Sequence, residues 1–365
     1  MKLMIQPGES VAPLIKAINN AKSRIEIAIF RFDRVDIERA LTSAVSRGVF
    51  VHALIAYTNR GGEKNLRKLE MRLLAAGVTV ARTADDLVRY HGKYMIVDRK
   101  ELHLLAFNFT HLDIDRSRAF GLIIRNPKIV QEAAKLFEAD TKRQPYVPSN
   151  GAFIVSPVNA RKQLASLIKS AKKELIVYDP EVSDPAMTRL LEERAKAGVQ
   201  IRIIGRLTPK SGGIEVKKLE GMRLHTRTII RDRSQAFIGS QSLREVELGS
   251  RREVGLIFRD SKIVAALIKT FEEDWAKVQT AQPAAEETEP ATKVAKKVAK
   301  AVAKELPAVT PVLEGIVREV VGADGDIDLD PLAVEETVKD AVKEAVKEAV
   351  RDVVESVVEM NGVGH

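Results

Sequence analysis

Two histidines stand 134 residues apart, each with a cation two residues later and an aspartate seven residues later: His91, Lys93 and Asp98 within HGKYMIVD, and His225, Arg227 and Asp232 within HTRTIIRD. On an extended chain, residues i and i+2 point to the same face, so each imidazole carries a positive charge beside it. Two such pairs around one site could break a phosphodiester. The cations would neutralise charge on the phosphoryl oxygens as the transition state forms. One neutral imidazole would attack phosphorus and hold it as a phosphohistidine. The other, protonated, would give its proton to the leaving alcohol and then take one from water or an acceptor alcohol. The His and carboxylate spacing offers no metal cage, and no cofactor is implied.

The elements that must position these residues come as a duplication. Pro7, Leu14, Ile18 and Ala21-Lys22 recur 150 residues later as Pro157, Leu164, Ile168 and Ala171-Lys172. Around the histidines the offset falls to 134, aligning Gly121-Leu122-Ile123 with Gly255-Leu256-Ile257 and Phe137-Glu138 with Phe271-Glu272. The 16 extra residues of the first half are expected between Glu70 and Val88. A loop there, including RTADDLVRY, is a candidate lid over the substrate. Each half alternates helix and strand, which predicts an α/β fold of two pseudo-symmetric α/β/α sandwich halves. Helices are expected over 10–22, 36–47, 127–142, 160–173, 185–197 and 261–277. Strands are expected in RIEIAIFRF, VFVHALIAY, KYMIVD, LHLLAF, KELIVYD, VQIRIIG, TIIRD and QAFIGS. The halves span 1–146 and 151–280, joined by YVPSNG.

Residues 281–365 form a third segment rich in Ala, Val, Lys and Glu, read as a low-complexity tail that is helical or disordered. Val recurs there every fourth residue from Val334 to Val358, a stripe that drifts around a helix. DGDIDLD at 324–330 alternates Asp as a calcium loop does, but Leu329 stands where the turn needs Gly, so an acidic helix cap explains it better. The tail holds 10 Lys/Arg against 18 Asp/Glu, leaving residues 1–280 with 49 against 32, or +17. So basic a core favours polyanionic partners, either nucleic acid or an anionic lipid surface. There is no cysteine, no apolar leader and no run of 18 apolar residues. A cytoplasmic protein is expected, with peripheral membrane association left open through the Lys-rich stretch at 293–304.

The paired motifs resemble those of the phospholipase D superfamily, whose mark is His-x-Lys-x4-Asp, then Gly-Ser-x-Asn, then a Glu before an apolar strand. The resemblance covers roughly residues 7–277. It implies two α/β halves with one site at their interface, so that a monomer can build the full site. In the first half His91, Lys93, Asp98 and Asn108 match, whereas Leu105-Ala106 replace Gly-Ser and Ala119 replaces the Glu. In the second half His225, Asp232, Ser240 and Glu253 match, whereas Arg227 replaces the Lys and Ser242 the Asn. The halves thus complement each other. His91 is expected as nucleophile, because its half retains Lys93 and Asn108, and His225 as acid/base. Asp98 and Asp232 are expected to pin strand ends rather than touch substrate. Which imidazole Glu253 orients stays open in the sequence. The expected activity is metal-independent phosphodiester cleavage, on nucleic acid for preference. The alternatives are a phospholipid hydrolase or phosphatidyltransferase, and a catalytically impaired binding module.

Overall fold

The computed structural model describes residues 1–58, 63–209 and 211–280. The tail, with its Val stripe, its Asp-rich segment and its Lys-rich stretch, lies outside the described residues.

Two sheets repeat one strand order. The first runs Lys2–Gln6, Ser117–Ile124, Glu101–Leu105, Tyr94–Val97, Arg24–Ile29, Phe50–Ile55, Thr79–Arg82. The second runs Phe153–Val155, Val254–Phe258, Gln235–Gly239, Arg227–Arg231, Glu174–Val182, Gln200–Leu207, Ile214–Lys217. In each, the histidine-bearing segment leads into a central strand. That strand lies antiparallel to both its neighbours; beyond them the pairing is parallel on one side of each sheet and antiparallel on the other.

The strands are apolar on both faces because both faces are covered. Ile25, Ile27 and Ile29 belong to an apolar cluster confined to the first half, while Ala28 between them belongs to a different one. Met95 and Val97 divide from Tyr94 and Ile96 in the same way, and Leu175 and Val177 from Ile176 and Tyr178. This is the period-two alternation of a strand buried on both sides. The cluster holding Tyr94, Ile96, Ile176 and Tyr178 contains residues of both sheets, so the halves share one core. The two long closing helices, Pro127–Lys142 and Ser261–Thr280, contribute Phe137, Phe271 and Trp275 to it. Asn126 caps the first of these helices by accepting from Lys128 N and Ile129 N, and Pro127 supplies a preset φ in its first turn.

Two buried ion pairs, related by the repeat, cross between the halves. Arg118 meets Asp274 with Nε at 2.7 Å and Nη2 at 2.9 Å, and its Nη1 donates to Gln6 O. Arg252 meets Asp140 at 3.1 Å, and its Nη1 donates to Ser156 O. All four positions obey the offset of 134. Each carbonyl of these arginines also accepts a histidine backbone N–H from the opposite half. His225 N donates to Arg118 O at 3.0 Å, and His91 N donates to Arg252 O at 2.7 Å.

The extra chain of the first half lies elsewhere than expected. His52 pairs with Thr79, 27 residues on, whereas its counterpart Arg202 pairs with Glu215, 13 residues on. Fourteen of the 16 residues therefore enter before Thr79, as the helix Glu63–Ala75, which buries Leu66, Leu69 and Leu73 against the first half. Segment 83–90 is not a free lid either. Val88 N donates to Ser250 O, and Arg89–Tyr90 pair in parallel with Arg251–Arg252 of the second half. A helix with a buried stripe and a loop differ little over a short window that also contains polar residues, which is why the insertion read as loop.

Candidate active site

His91 and His225 precede their central strands at the junction of the halves, and both are buried to 5% exposure. Glu253, from the second half and fully buried, reaches across to His91. Its oxygens lie 2.8 and 3.0 Å from His91 Nδ1. The open question of which imidazole Glu253 holds is thereby answered: the contact crosses the interface. With Nδ1–H donating to Glu253, the lone pair of His91 sits on Nε2. Lys93 Nζ lies 2.8 Å from that atom and 2.9 Å from Nδ1. Since Nδ1 already donates, Nε2 is the acceptor for Lys93. Phe30 packs edge-on to the His91 ring at 4.6 Å between centroids. Gly92 between His91 and Lys93 leaves no room for a side chain, because a Cβ there would come 2.9 Å from Val254 Cγ2.

Around His225 the partners differ. Position 119 is alanine, so no glutamate arrives from that strand. Instead Asp113, on the short helix His111–Asp115, places Oδ2 3.4 Å from His225 Nδ1, too long for a hydrogen bond. Asp113 Oδ2 accepts from Asn108 N at 2.8 Å and Asn108 Nδ2 at 2.6 Å, and its Oδ1 pairs with Arg223. Asn108 therefore serves the His225 side of the site, although its own half carries His91. Arg227 donates from Nη1 to His225 O at 2.7 Å and from Nε to Ser242 Oγ at 3.1 Å. Ser242 N donates to Glu247 Oε2, as Asn108 N does to Asp113. Ser240 Oγ accepts from Val254 N at 3.1 Å and donates to Val254 O at 3.4 Å, beside Glu253.

Electrostatics follow from burial. Desolvation, then Lys93 and Arg227, hold His91 well below the ordinary histidine range. Desolvation, then Arg227 and Lys93, do the same to His225. Each imidazole thus feels the cation of the other motif, as one composite site requires. Burial brings Lys93 down to about 7 against the pull of Glu253. Burial pushes Glu253 up, against Lys93.

Asp98 and Asp232 lie at the far ends of the two strands. Asp98 accepts from Lys22 N, Ser23 N, Ser23 Oγ and Arg24 N at 2.7–3.1 Å. Asp232 accepts from Lys172 N, Lys173 N and Glu174 N over the same range. Both sit at positive φ in a tight turn, which aspartate tolerates better than most residues. They tie each central strand to the preceding helix–strand joint. Leu105 and Ala106, in place of Gly-Ser, are buried core; Gly239, the counterpart of Leu105, has no such room, since a Cβ there would meet Gln241 Oε1 at 2.4 Å. Among the described residues no three His, Asp or Glu side chains converge as a metal cage would.

Phe30, Asp113 and Glu247 escaped the sequence reading. For Asp113 and Glu247 a signal existed: two acids aligned by the offset of 134. Phe30 has no counterpart, its aligned position being Pro180.

A family model described as "Cardiolipin synthase, PLD-like domain" matches the chain twice, over residues 14–141 and 164–275. "Mitochondrial cardiolipin hydrolase" of Danio rerio is 27% identical over 134 residues, 36% of this chain and 58% of that protein. "Polyphosphate kinase 1" of Chlorobaculum tepidum is 26% identical over 225 residues, 56% of this chain and 32% of that protein. The chain therefore spans little more than half, or less, of these relatives' lengths. The fold is shared with polyphosphate kinase from Porphyromonas gingivalis, at a TM-score of 0.62 and 20% identity, over 74% of this chain and 49% of that one. It is also shared with phosphatidylserine synthase from Haemophilus influenzae, at a TM-score of 0.55 and 10% identity, over 73% of this chain and 84% of that one. Two matches to one domain model, on two sheets of one strand order meeting at paired His-x-basic motifs, show that the chain belongs to the phospholipase D superfamily and carries its domain twice.

Proposed function

We propose that the protein is a phosphodiester hydrolase or transferase that works through a phosphohistidine on His91, with an anionic phospholipid as substrate. The observation that carries the chemistry is the contact of Glu253 with His91 Nδ1 across the halves. It leaves the lone pair of the neutral imidazole on Nε2, 2.8 Å from Lys93 Nζ, so that a phosphate binding at Lys93 brings phosphorus close to that lone pair. Phosphate oxygens then take over the N–H groups of Lys93 and Arg227, and the negative charge they bring favours a proton on His225. His225 gives that proton to the leaving alkoxide as the P–O bond breaks and the Nε2–P bond forms. In the second half-reaction neutral His225 takes a proton from water or an alcohol, whose oxygen displaces His91. Asp113 stabilises the imidazolium form of His225 in both steps.

The charge of the core suits nucleic acid as well as lipid. The cardiolipin hydrolases and the cardiolipin synthase domain among its relatives favour lipid. One observation favours a second substrate, a phosphoanhydride: the polyphosphate kinase match extends over 225 residues, whereas the cardiolipin hydrolase matches cover one domain's length.

The test is parallel turnover of labelled cardiolipin vesicles, single-stranded DNA and polyphosphate in the presence of chelator, by wild type and His91→Ala, with an alkaline detergent quench to trap the acid-labile phosphoenzyme. The expected result is cardiolipin turnover reduced at least ~100-fold in the variant, the scale of a lost catalytic group. Full activity of His91→Ala refutes the chemistry. Turnover of DNA alone, or of polyphosphate alone, refutes the lipid assignment.

A further inference from the structure

A cluster of arginines beside His91 is left unused by this chemistry. Arg89 and Arg251 stand directly opposite each other in the short parallel ladder that joins the halves, one from each half. Like charges facing each other across a ladder are destabilising, and here both are partly shielded from water, which increases the repulsion. Arg251 is compensated by Glu247 Oε1 at 3.1 Å, but its Nε is buried without a partner. Arg89 forms no ion pair or side-chain hydrogen bond among the described residues. Its guanidinium lies over the Phe30 ring at 5.1 Å, and Arg31 lies over the same ring at 5.7 Å. Burial first, and then the neighbouring Arg251 and Arg31, weaken the proton affinity of Arg89, against the opposite pull of Glu253 and Glu247. The edge of that Phe30 ring packs on His91.

Such an arrangement is costly to the free protein and becomes favourable once an anion bridges the guanidinium groups. We infer that Arg89 and Arg251 form a second anion subsite next to the scissile phosphate position, built for a further phosphate group joined to the first by a short bridge. Arg89 and His91 share Phe30 as a common neighbour, so one substrate can reach both. The substrate class is thus a bis- or polyphosphate rather than an isolated diester. Cardiolipin, a nucleic-acid backbone and polyphosphate all offer that chemistry. The inference rests on the active-site assignment for the place of the first phosphate. The ladder is what makes the second site, because neither half alone holds both arginines.

The test is calorimetric binding of inorganic phosphate and of inorganic pyrophosphate to the full-length protein, without turnover. One charge-assisted contact of about 1.5–3 kcal/mol corresponds to roughly 10- to 100-fold in affinity. Pyrophosphate is therefore expected to bind at least ~10-fold tighter than phosphate to wild type. In Arg89→Gln that ratio should fall to within ~3-fold, and Arg89→Lys should recover part of it. Circular dichroism and a thermal melt establish that each variant is folded. Arg125→Gln, an exposed arginine paired with Glu101 at the far end of its strand, is a charge-matched control that should keep the ratio. Equal affinities in wild type, or a ratio unchanged in Arg89→Gln, overturn the subsite. Loss of the ratio in Arg125→Gln as well overturns it too, since the effect would then be general charge. Failure of the catalytic assignment shows separately, as full turnover in His91→Ala. The source of the second phosphate is then read from which turnover, on cardiolipin vesicles, an oligodeoxynucleotide or polyphosphate, Arg89→Gln reduces most.

Discussion

Replacing Glu253 by Gln removes one negative charge from His91 Nδ1 and leaves the side chain the same size. The wild-type carboxylate takes the Nδ1–H at 2.8 Å from a position of zero exposure. A hydrogen bond to a charged acceptor is worth about 1.5–3 kcal/mol, and a neutral one about 0.5–1.5 kcal/mol. The glutamine oxygen can still accept, so the loss in transition-state stabilisation is the difference, about 1–2 kcal/mol, or roughly 5- to 30-fold in kcat. Glu253→Ala, with no acceptor and a cavity, should cost more. Stability should move the other way. Burial raises the Glu253 carboxyl above its unfolded value, opposed by Lys93. Such a group stabilises the fold below its unfolded pKa and loses that contribution as pH rises through the folded value. At pH 8 the buried charge is a net cost, so Glu253→Gln should match or exceed wild type in Tm. The assay is kcat on the active substrate together with Tm at pH 5 and pH 8. Full activity in Glu253→Gln would refute the orienting role. An activity loss accompanied by a fall in Tm of more than about 5 °C would assign Glu253 to packing instead.

Lys93, lowered to about 7 by burial, must be charged to receive the phosphate. A plot of kcat/KM against pH should therefore have an alkaline limb that sets in no later than about pH 7, since the free enzyme needs Lys93 charged and a proton on His225; an alkaline limb beginning only above pH 9 would contradict this. Arg118→Ala should destabilise the fold by about 3–5 kcal/mol in urea titration, because it strands Asp274 without its guanidinium partner. Joint replacement Arg118→Met with Asp274→Leu should recover much of that loss, and failure to do so would mean that the pair is not the source. Asp98→Ala should cost about 1–3 kcal/mol of stability through the freed N–H groups of Ser23 and Arg24, with kcat within a factor of about two. A drop in kcat without a drop in stability would instead place Asp98 in the chemistry. Backbone N–H donors hold the Asp98 carboxyl below its usual range despite burial, so its contribution should fade as pH falls through that folded value.

The duplication, the α/β alternation and the paired His-x-basic motifs are legible in the chain because they rest on local periodicity and on self-similarity, both one-dimensional signals. The strands around Ile25, Tyr94, Leu175 and Ile229 read as buried strands because each has apolar residues for two faces. Asp98 and Asp232 were legible as strand-end pins from their place beyond the last apolar residue. The insertion was harder: its length is exact in the sequence, but the helix Glu63–Ala75 and segment 83–90 exchange roles there, since the pairing of Thr79 with His52 is a long-range contact.

Tertiary structure alone decided the pairing of partners across the halves. The sequence by itself named two histidines, two cations and one glutamate as candidates for a single site. It left open which histidine receives Glu253, and of the two residues on which it chose His91, Lys93 lies against that ring whereas Asn108 does not. Asn108 serves Asp113 and His225, while Glu253 crosses to His91. The physical reason is the swap made at the interface, where each histidine's backbone is bound by the arginine of the other half. Such a swap follows from how two folded sheets share one core, and no spacing along the chain records it.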